Sequence, residues 1–465
     1  MGNLGAKLFT AMALAASVAG CGGPRASQVS QIEGQRGKDS ELYAPAGAEK
    51  KFEFEALYKT QHKSMADFQR ESEGTLDWKI QKVLQYMVGP LVYRSLGGLQ
   101  TGTEISLQMA EAKLQNGFVV LPYVVHGKLL LHDSVADQNV FEMPVPYSEK
   151  SLETKEWLNC TDRYDEDHAT WSFFWYFWDP TRPGCDQREG SSYQTVDVKL
   201  SAPEVETTQS YPSYSRMVRS TESGNEVAMT FAFGPVKDEV NQDPMTSQDY
   251  GLMQFRFFVS SARVLAKKLK LKETTVSSKI YGDYRDRVIG LEWSGLKDGQ
   301  SLRIRAVAAA DIDQMNLFAR SFAVDHEGFF GWFGHSRVGS GFDAAQFKSM
   351  LQGQSDKYSL TADYQMIYWA GCNSYSYYTL PFFSLKAEMN PGLDPRGTKN
   401  LDIVANALPS LFSFNSQNAE IFLKALVFPE KKTSYQSLSK QVEDHASRSG
   451  YRVLITVLGD EDNGE

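Results

Sequence analysis

Along the second half of the chain, short and almost uninterrupted apolar runs alternate with segments whose apolar residues recur every three or four positions. The runs at 226–234 (EVAMTFAFG), 328–336 (GFFGWFGHS), 364–372 (YQMIYWAGC) and 451–459 (YRVLITVLG) read as buried strands, joined by a strand-rich stretch holding RVIGLEWSG and SLRIRAVAAA. Between and beyond them, 249–271, DIDQMNLFARSFAVD, FDAAQFKSMLQ, LDIVANALPSLF, NAEIFLKAL and SYQSLSKQVEDHASR read as helices. Strands that are apolar on both faces and alternate with helices predict a mainly parallel sheet flanked by helices, an α/β architecture.

The first half has a different rhythm. From Phe52 to about Gly98 the spacing predicts helices, FEFEALYKTQHKSMADFQRES and then LDWKIQKVLQYMVGPLVYRSLGG, the second closed by Gly97-Gly98. From Gly117 the pattern shifts to β-type runs, GFVVLPYVVHG, KLLLHDSV, WSFFWYFW and YQTVDVKLS, split by Pro, Gly, Asn and Asp. A polar stretch at 208–225 reads as a connection between domains. The expected organisation is a smaller α+β or β-rich domain over 51–222 and an α/β domain over 223–465.

The N-terminus carries an export pattern. Residues 1–21, MGNLGAKLFTAMALAASVAGC, hold one Lys, an apolar segment too short for a permanent span, and small residues ahead of a cysteine. This resembles a bacterial lipoprotein signal with Val18 to Cys21 as its lipobox, which implies removal of residues 1–20 and lipidation of Cys21. Several acyl chains on one cysteine would hold the chain to a membrane. Gly22 and Gly23 follow where an Asp would direct retention in the inner membrane, so the resemblance implies the outer membrane. The alternative is an ordinary cleaved signal with an incidental cysteine. Residues 21–50, rich in Gly, Ala, Ser, Gln and charge, read as a tether.

Charge narrows the partners. The formal charge of −9 becomes −10 without Lys7, 47 basic against 57 acidic residues, which gives nucleic-acid binding little electrostatic support. Four cysteines less Cys21 leave Cys160, Cys185 and Cys372. Cys160 and Cys185 sit 25 residues apart, and pairing them closes a loop worth about 3 kcal/mol. Cys372 is then unpaired in an exported chain, either packed as a buried thiol or kept for its chemistry.

Its position sharpens the question. Functional groups in open parallel sheets gather beyond the carboxyl ends of the strands, where both Cys372 and His335 fall. Parallel strands lie about 4.8 Å apart, so a thiol and an imidazole at neighbouring ends are within mutual reach. An imidazole that takes the thiol proton makes a nucleophile.

FFGWFGHSRVGSG (329–341), a short helix, and YQMIYWAGCNSYS (364–376) resemble the signature of the caspase, legumain and gingipain group of cysteine peptidases. The resemblance covers about residues 226–465, with its specific motifs in the central 50 or so, and 401–426 resembles the sheet-supporting segment that follows the cysteine in gingipain-like relatives. It implies that Cys372 is the nucleophile, that His335 is the general acid/base, and that the amides of Ser336 and Cys372 form the oxyanion hole. The substrate would be a peptide or protein, with no cofactor or metal. Two residues depart from the pattern. Ser336 stands where the group usually has Gly, and Ala370-Gly371 precede the cysteine where one small residue after bulky aliphatics is commoner. Ser336 offers its N–H unless the turn demands a positive φ, which is strained for a residue with a Cβ. The rival expectation is a non-catalytic binding or structural lipoprotein on the same scaffold, and a third is another acyl transfer on the same pair.

Other features carry less. Asp165, Glu166, Asp167 and His168 read as a solvated acidic loop rather than a cation site, and Gly339-Ser340-Gly341 as a flexible rim. The aromatics of 171–178 read as core rather than a binding surface. Arg337, Asp343 and Asp363 are candidates for a charged specificity pocket, and His126 and His132 flank a hairpin without evident partners.

Overall fold

The computed structural model describes residues 46–99, 105–152, 159–161, 178–202, 209–222, 224–236, 243–276, 288–309, 311–336, 344–355 and 357–460. Cys21, the acidic loop 165–168, residues 171–177, Arg337, Asp343 and Gly339 to Gly341 lie outside these.

The first sheet begins where a helix was expected. Strand β1, Gly47–Lys59, includes FEFEALY, whose strict alternation buries Phe52, Phe54, Ala56 and Tyr58 while the intervening side chains face outward. The last four residues of the expected tether, 47–50, are part of this strand. The helical part of the segment is shorter: a one-turn helix at Met65–Phe68, then α1, Glu73–Gln85, and α2, Val88–Tyr93. Ser72 caps α1 by accepting the Thr75 N–H, and Leu76, Ile80, Val83 and Leu84 form its buried stripe. One continuous helix was expected. The chain breaks at Tyr86-Met87 and restarts with Pro90 in the first turn of α2, where a missing N–H costs nothing. Gly97-Gly98 open the short strand β2, Gly97–Leu99, rather than close a helix.

Strands β3 (Ser106–Met109) and β4 (Lys113–Gln115) both pair with β5, Phe118–His132, which runs as one strand through two of the expected runs. β1 and β5 are antiparallel from Gly47 against His132 to Lys59 against Val120. β6 (Val140–Pro146) and β7 (Tyr193–Leu200) complete the order β2-β5-β1-β7-β6, and α1 and α2 pack on one face. The Cys160–Cys185 disulfide is present, beside buried Trp178, whose indole N–H donates to Gln187.

The second sheet is flanked by helices as expected for an α/β unit but is mixed rather than mainly parallel: among the described residues four of its strand pairings are parallel and four antiparallel. After β8 (Val218–Thr221) come β9 (Gly224–Phe233), helix α3 (Tyr250–Leu269), and strands β10 (Lys272–Val276), β11 (Val288–Lys297) and β12 (Gln300–Ala309). Then follow α4 (Asp311–Ala323), β13 (Phe329–Phe333), α5 (Ala344–Gly353) and β14 (Gln365–Trp369). The chain continues through α6 (Ser374–Tyr378), α7 (Leu380–Met389), β15 (Leu401–Asn406), α8 (Asn415–Val427), α9 (Tyr435–Arg448) and β16 (Ile455–Leu458). The order is β10-β11-β12-β9-β13-β14-β15-β16, with β12, β9, β13, β14 and β15 mutually parallel and β16 antiparallel. β8 pairs with β9, so strands of this sheet start before residue 223.

Residues 401–406 were expected to begin a helix. All six are buried and Leu401 to Val404 pair in parallel with β14, because a run with Leu, Ile and Val fits a strand covered on both faces. The helix starts only at Asn415. Phe255, Phe258, Phe422, Leu438 and Val442 of α3, α8 and α9 cover one face of the sheet. Phe318, Phe322, Phe347 and Phe382 of α4, α5 and α7 cover the other.

The two sheets belong to packed units. Leu130 of β5 enters the second unit's core beside Ala407, Leu408 and Leu454, the Ser376 hydroxyl donates to the Leu99 carbonyl at 2.6 Å, and Arg452 donates to the Ser95 carbonyl at 3.1 Å. The first unit therefore rests on α6, the helix immediately behind Cys372.

Phe231 in central β9 packs against the rings of Phe258, Phe329 and Phe333 and is fully buried. Phe231→Ala is expected to lower unfolding free energy in a urea titration by about 3–5 kcal/mol, the usual cost of emptying a packed aromatic site.

Candidate functional site

The site is built by strand register. β13 and β14 pair in parallel from Phe329 against Met366 to Trp332 against Trp369, and the Ala370 N–H continues the ladder to the Trp332 carbonyl at 2.9 Å. His335 and Cys372 each stand three residues beyond the Trp332 and Trp369 pair, just past the ends of adjacent strands. Gly371 permits the approach: a Cβ on it would lie 3.2 Å from both the Gly334 carbonyl oxygen and the Ser336 nitrogen. The Trp332 indole donates to the His335 carbonyl at 2.9 Å and fixes the backbone there.

The location obeys the general rule for such sheets. β9 has β12 on one side and β13 on the other, so the strand order reverses between β9 and β13, and a crevice is expected outside the carboxyl ends at that point. His335 leans across it. Its Nε2 lies 2.8 Å from the carbonyl oxygen of Val236, just past the end of β9. A carbonyl only accepts, so Nε2 carries the proton and Nδ1 keeps its lone pair. The Phe412 ring stands edge-on to the imidazole, centroids 5.0 Å apart. The imidazole is thus held by the Val236 carbonyl, and among the described residues no hydrogen bond is made by its other nitrogen.

Cys372 is half-buried, and its thiol turns the other way. Sγ donates to the Ser410 carbonyl at 3.7 Å and accepts from the Ser410 N–H at 3.4 Å, in the loop after β15. Burial pushes the thiol above its ordinary value, although the amides of Ser410 and of Cys372 itself pull it down. In this arrangement the sulfur is a protonated thiol, and among the described residues no hydrogen bond joins it to His335.

Ser336 is buried with a backbone outside the left-handed region, so replacing Gly there introduces no strain. The left-handed residue is Asn373, at φ 50°, which follows the cysteine and donates its N–H to Leu408. Among the described residues, neither the Ser336 N–H nor the Cys372 N–H donates to another backbone carbonyl.

The remaining candidates separate from this site. Asp363 precedes β14 at the opposite, amino-terminal edge of the sheet, beside Arg219 at 3.8 Å, and so cannot line a pocket next to Cys372. His126 faces Glu53 across the β1 and β5 pair at 3.5 Å. Among the described residues, no group of three or more His, Cys, Asp or Glu side chains is placed to hold a metal ion. Val236, Ser410 and Phe412 escaped the sequence reading, since a backbone carbonyl that orients a histidine leaves no residue-type signature. No family model matches the chain, and no curated protein or solved structure shows significant similarity to it.

A cavity of about 490 Å³ opens between the units, lined by Ala46 and His132 on one side and by Lys440, Glu443, Asp444, Arg452 and Val453 on the other. Neither His335 nor Cys372 lines it. The Glu443 carboxyl accepts the Ile455 N–H at 3.0 Å, yet burial pushes it up to about 8. Between pH 4.5, the ordinary carboxyl value, and about 8 the folded chain therefore holds a proton that the unfolded chain releases, so stability falls as pH rises through that window. Glu443→Gln is expected to flatten the decline and to be more stable than the parent at pH 8, measured as thermal midpoint against pH. A parent curve already flat across that range would contradict the burial of this carboxyl.

Proposed function

We propose that the chain is a cysteine peptidase with a caspase-like α/β unit, acting on peptide bonds through Cys372 and His335. The observation that carries this reading is the pairing of two adjacent, register-matched parallel strand ends, one bearing an unpaired cysteine and the other a histidine oriented by the Val236 carbonyl. Nucleophile, base and orienting group are the parts an acyl-transfer site needs.

The chemistry follows from where the protons sit. Rotation of the Cys372 side chain away from Ser410 brings Sγ toward Nδ1 of His335. Nδ1 takes the thiol proton, and the thiolate adds to the scissile carbonyl carbon. The oxyanion is met by the N–H groups of Ser336 and Cys372. Nδ1–H then protonates the departing amine as the C–N bond breaks, leaving a thioester on Cys372. Water, deprotonated by the same nitrogen, hydrolyses it and restores the thiol. The Val236 carbonyl holds the ring through each exchange.

The export pattern ending at Cys21 supports a lipid-anchored envelope protein of the outer membrane. Among the described residues, no helix is long and apolar enough to cross a bilayer. The contact between Sγ and Ser410 favours one other reading, a non-catalytic scaffold in which Cys372 is only packed.

Labelling of Cys372 by a thiol-directed electrophile separates the two. The peptidase reading expects two limbs in the rate as pH varies: one near neutrality that needs His335, and one in alkali from the thiolate alone. His335→Ala should remove the first limb and lower peptide hydrolysis by about 10²-fold or more, and Cys372→Ala should abolish hydrolysis. If His335→Ala leaves the whole labelling profile unchanged, the pair does not act together and the scaffold reading stands.

A further inference from the structure

The carbonyl that orients His335 is itself held in place. The carboxylate of Asp249 accepts the Val236 N–H with both oxygens, each at 3.0 Å, and one of them also accepts the Leu252 N–H at 3.1 Å as the N-cap of α3. The Ser247 hydroxyl oxygen accepts the Asp249 N–H at 3.0 Å, fixing the cap's own backbone. The approach of α3 to the end of β9 is close. A Cβ on Gly251, in the first turn of α3, would lie 2.2 Å from the Gly234 carbonyl oxygen and 3.1 Å from the Phe412 ring that flanks His335. One carboxylate thus ties the start of a 20-residue helix to the residue whose carbonyl touches the imidazole.

We infer that Asp249 is a positioning residue for His335, acting through the Val236 backbone rather than by direct contact. This rests on the Cys372 and His335 reading given above. Two physical effects follow from the geometry. A charge-assisted hydrogen bond to the Val236 N–H fixes the backbone of that residue and so the direction of its carbonyl, which favours the Nε2–H tautomer and keeps Nδ1 available. The carboxylate also places a fixed negative charge one peptide away from a ring that becomes cationic when it takes the thiol proton. A simple helix cap needs neither. Any Ser, Thr, Asn or Asp at 249 would cap α3, but a Ser or Thr hydroxyl sits one bond nearer the backbone than the Asp249 oxygen that serves Leu252 and Val236 together, and so does not reach both.

That difference supplies the test, run on the full chain. Asp249→Ser keeps the cap and releases Val236, while Asp249→Asn keeps an acceptor for both N–H groups and removes the charge. The expected result for Asp249→Ser is a thermal midpoint near the parent's, with the neutral-pH limb of Cys372 labelling reduced about tenfold or more, as for a misplaced catalytic group, and the alkaline limb intact. Asp249→Asn should recover much of the neutral limb. Parent-like labelling profiles in both variants, alongside a lost neutral limb in His335→Ala, would overturn the role of Asp249 while leaving the pair standing. A His335→Ala profile equal to the parent's would instead overturn the pair itself. A fall in thermal midpoint for Asp249→Ser as large as that of Asp249→Ala, with both limbs falling together, would make Asp249 a structural cap and also overturn the inference.

Discussion

Everything at the site depends on the parallel ladder between β13 and β14. Its register sets the level at which each chain leaves the sheet, and so brings a sulfur and an imidazole to neighbouring strand ends from positions 37 residues apart. A slip of one residue would turn one of the two side chains to the other face of the sheet. The register is held by burial on both faces, with Trp332, Trp369, Phe329 and Met366 all in the core. The packing that stabilises this unit and the geometry that gives it chemistry are therefore one constraint.

Within that frame the two groups are in unequal states. His335 is oriented by the Val236 carbonyl on the β9 side, whereas Cys372 rests against Ser410 on the β15 side with its proton retained. The loop holding the sulfur, 407–410, is tied to the rest of the molecule. The Leu408 carbonyl accepts the Asn373 N–H, Ala407 meets Gly98 of the first unit, and Ser376 bonds to Leu99. The first unit is thus a wall behind the turn that carries Cys372, which gives its β-rich architecture a mechanical connection to that turn.

The legible parts of this molecule were those where one physical signal dominates. Doubly apolar runs announced β9, β13, β14 and β16, and their strand ends announced His335 and Cys372. The separation of Cys160 and Cys185 announced their bridge. Misreadings arose where two periods compete over a short window. FEFEALY fits a helical period as well as the alternation of a strand, and it is the 13-residue pairing with β5 that makes the strand long. LDIVAN was absorbed into the helix that follows it, because a six-residue apolar run has no period of its own. Val236, Ser410 and Asp249 were beyond reach for another reason: their roles run through backbone N–H and C=O groups or through tertiary contacts between distant segments.

The central claim concerns distance and orientation, so the most direct measurement is a crystal structure of the chain after reaction with a peptide-based electrophile. The account predicts a covalent bond at Cys372, with Sγ turned away from Ser410 and lying within about 3–4.5 Å of His335 Nδ1. It also predicts that the Val236 carbonyl still accepts from Nε2 and that the amides of Ser336 and Cys372 face the former carbonyl oxygen. An adduct at Cys372 whose sulfur remains against Ser410, with the imidazole remote and both amides turned elsewhere, would contradict it.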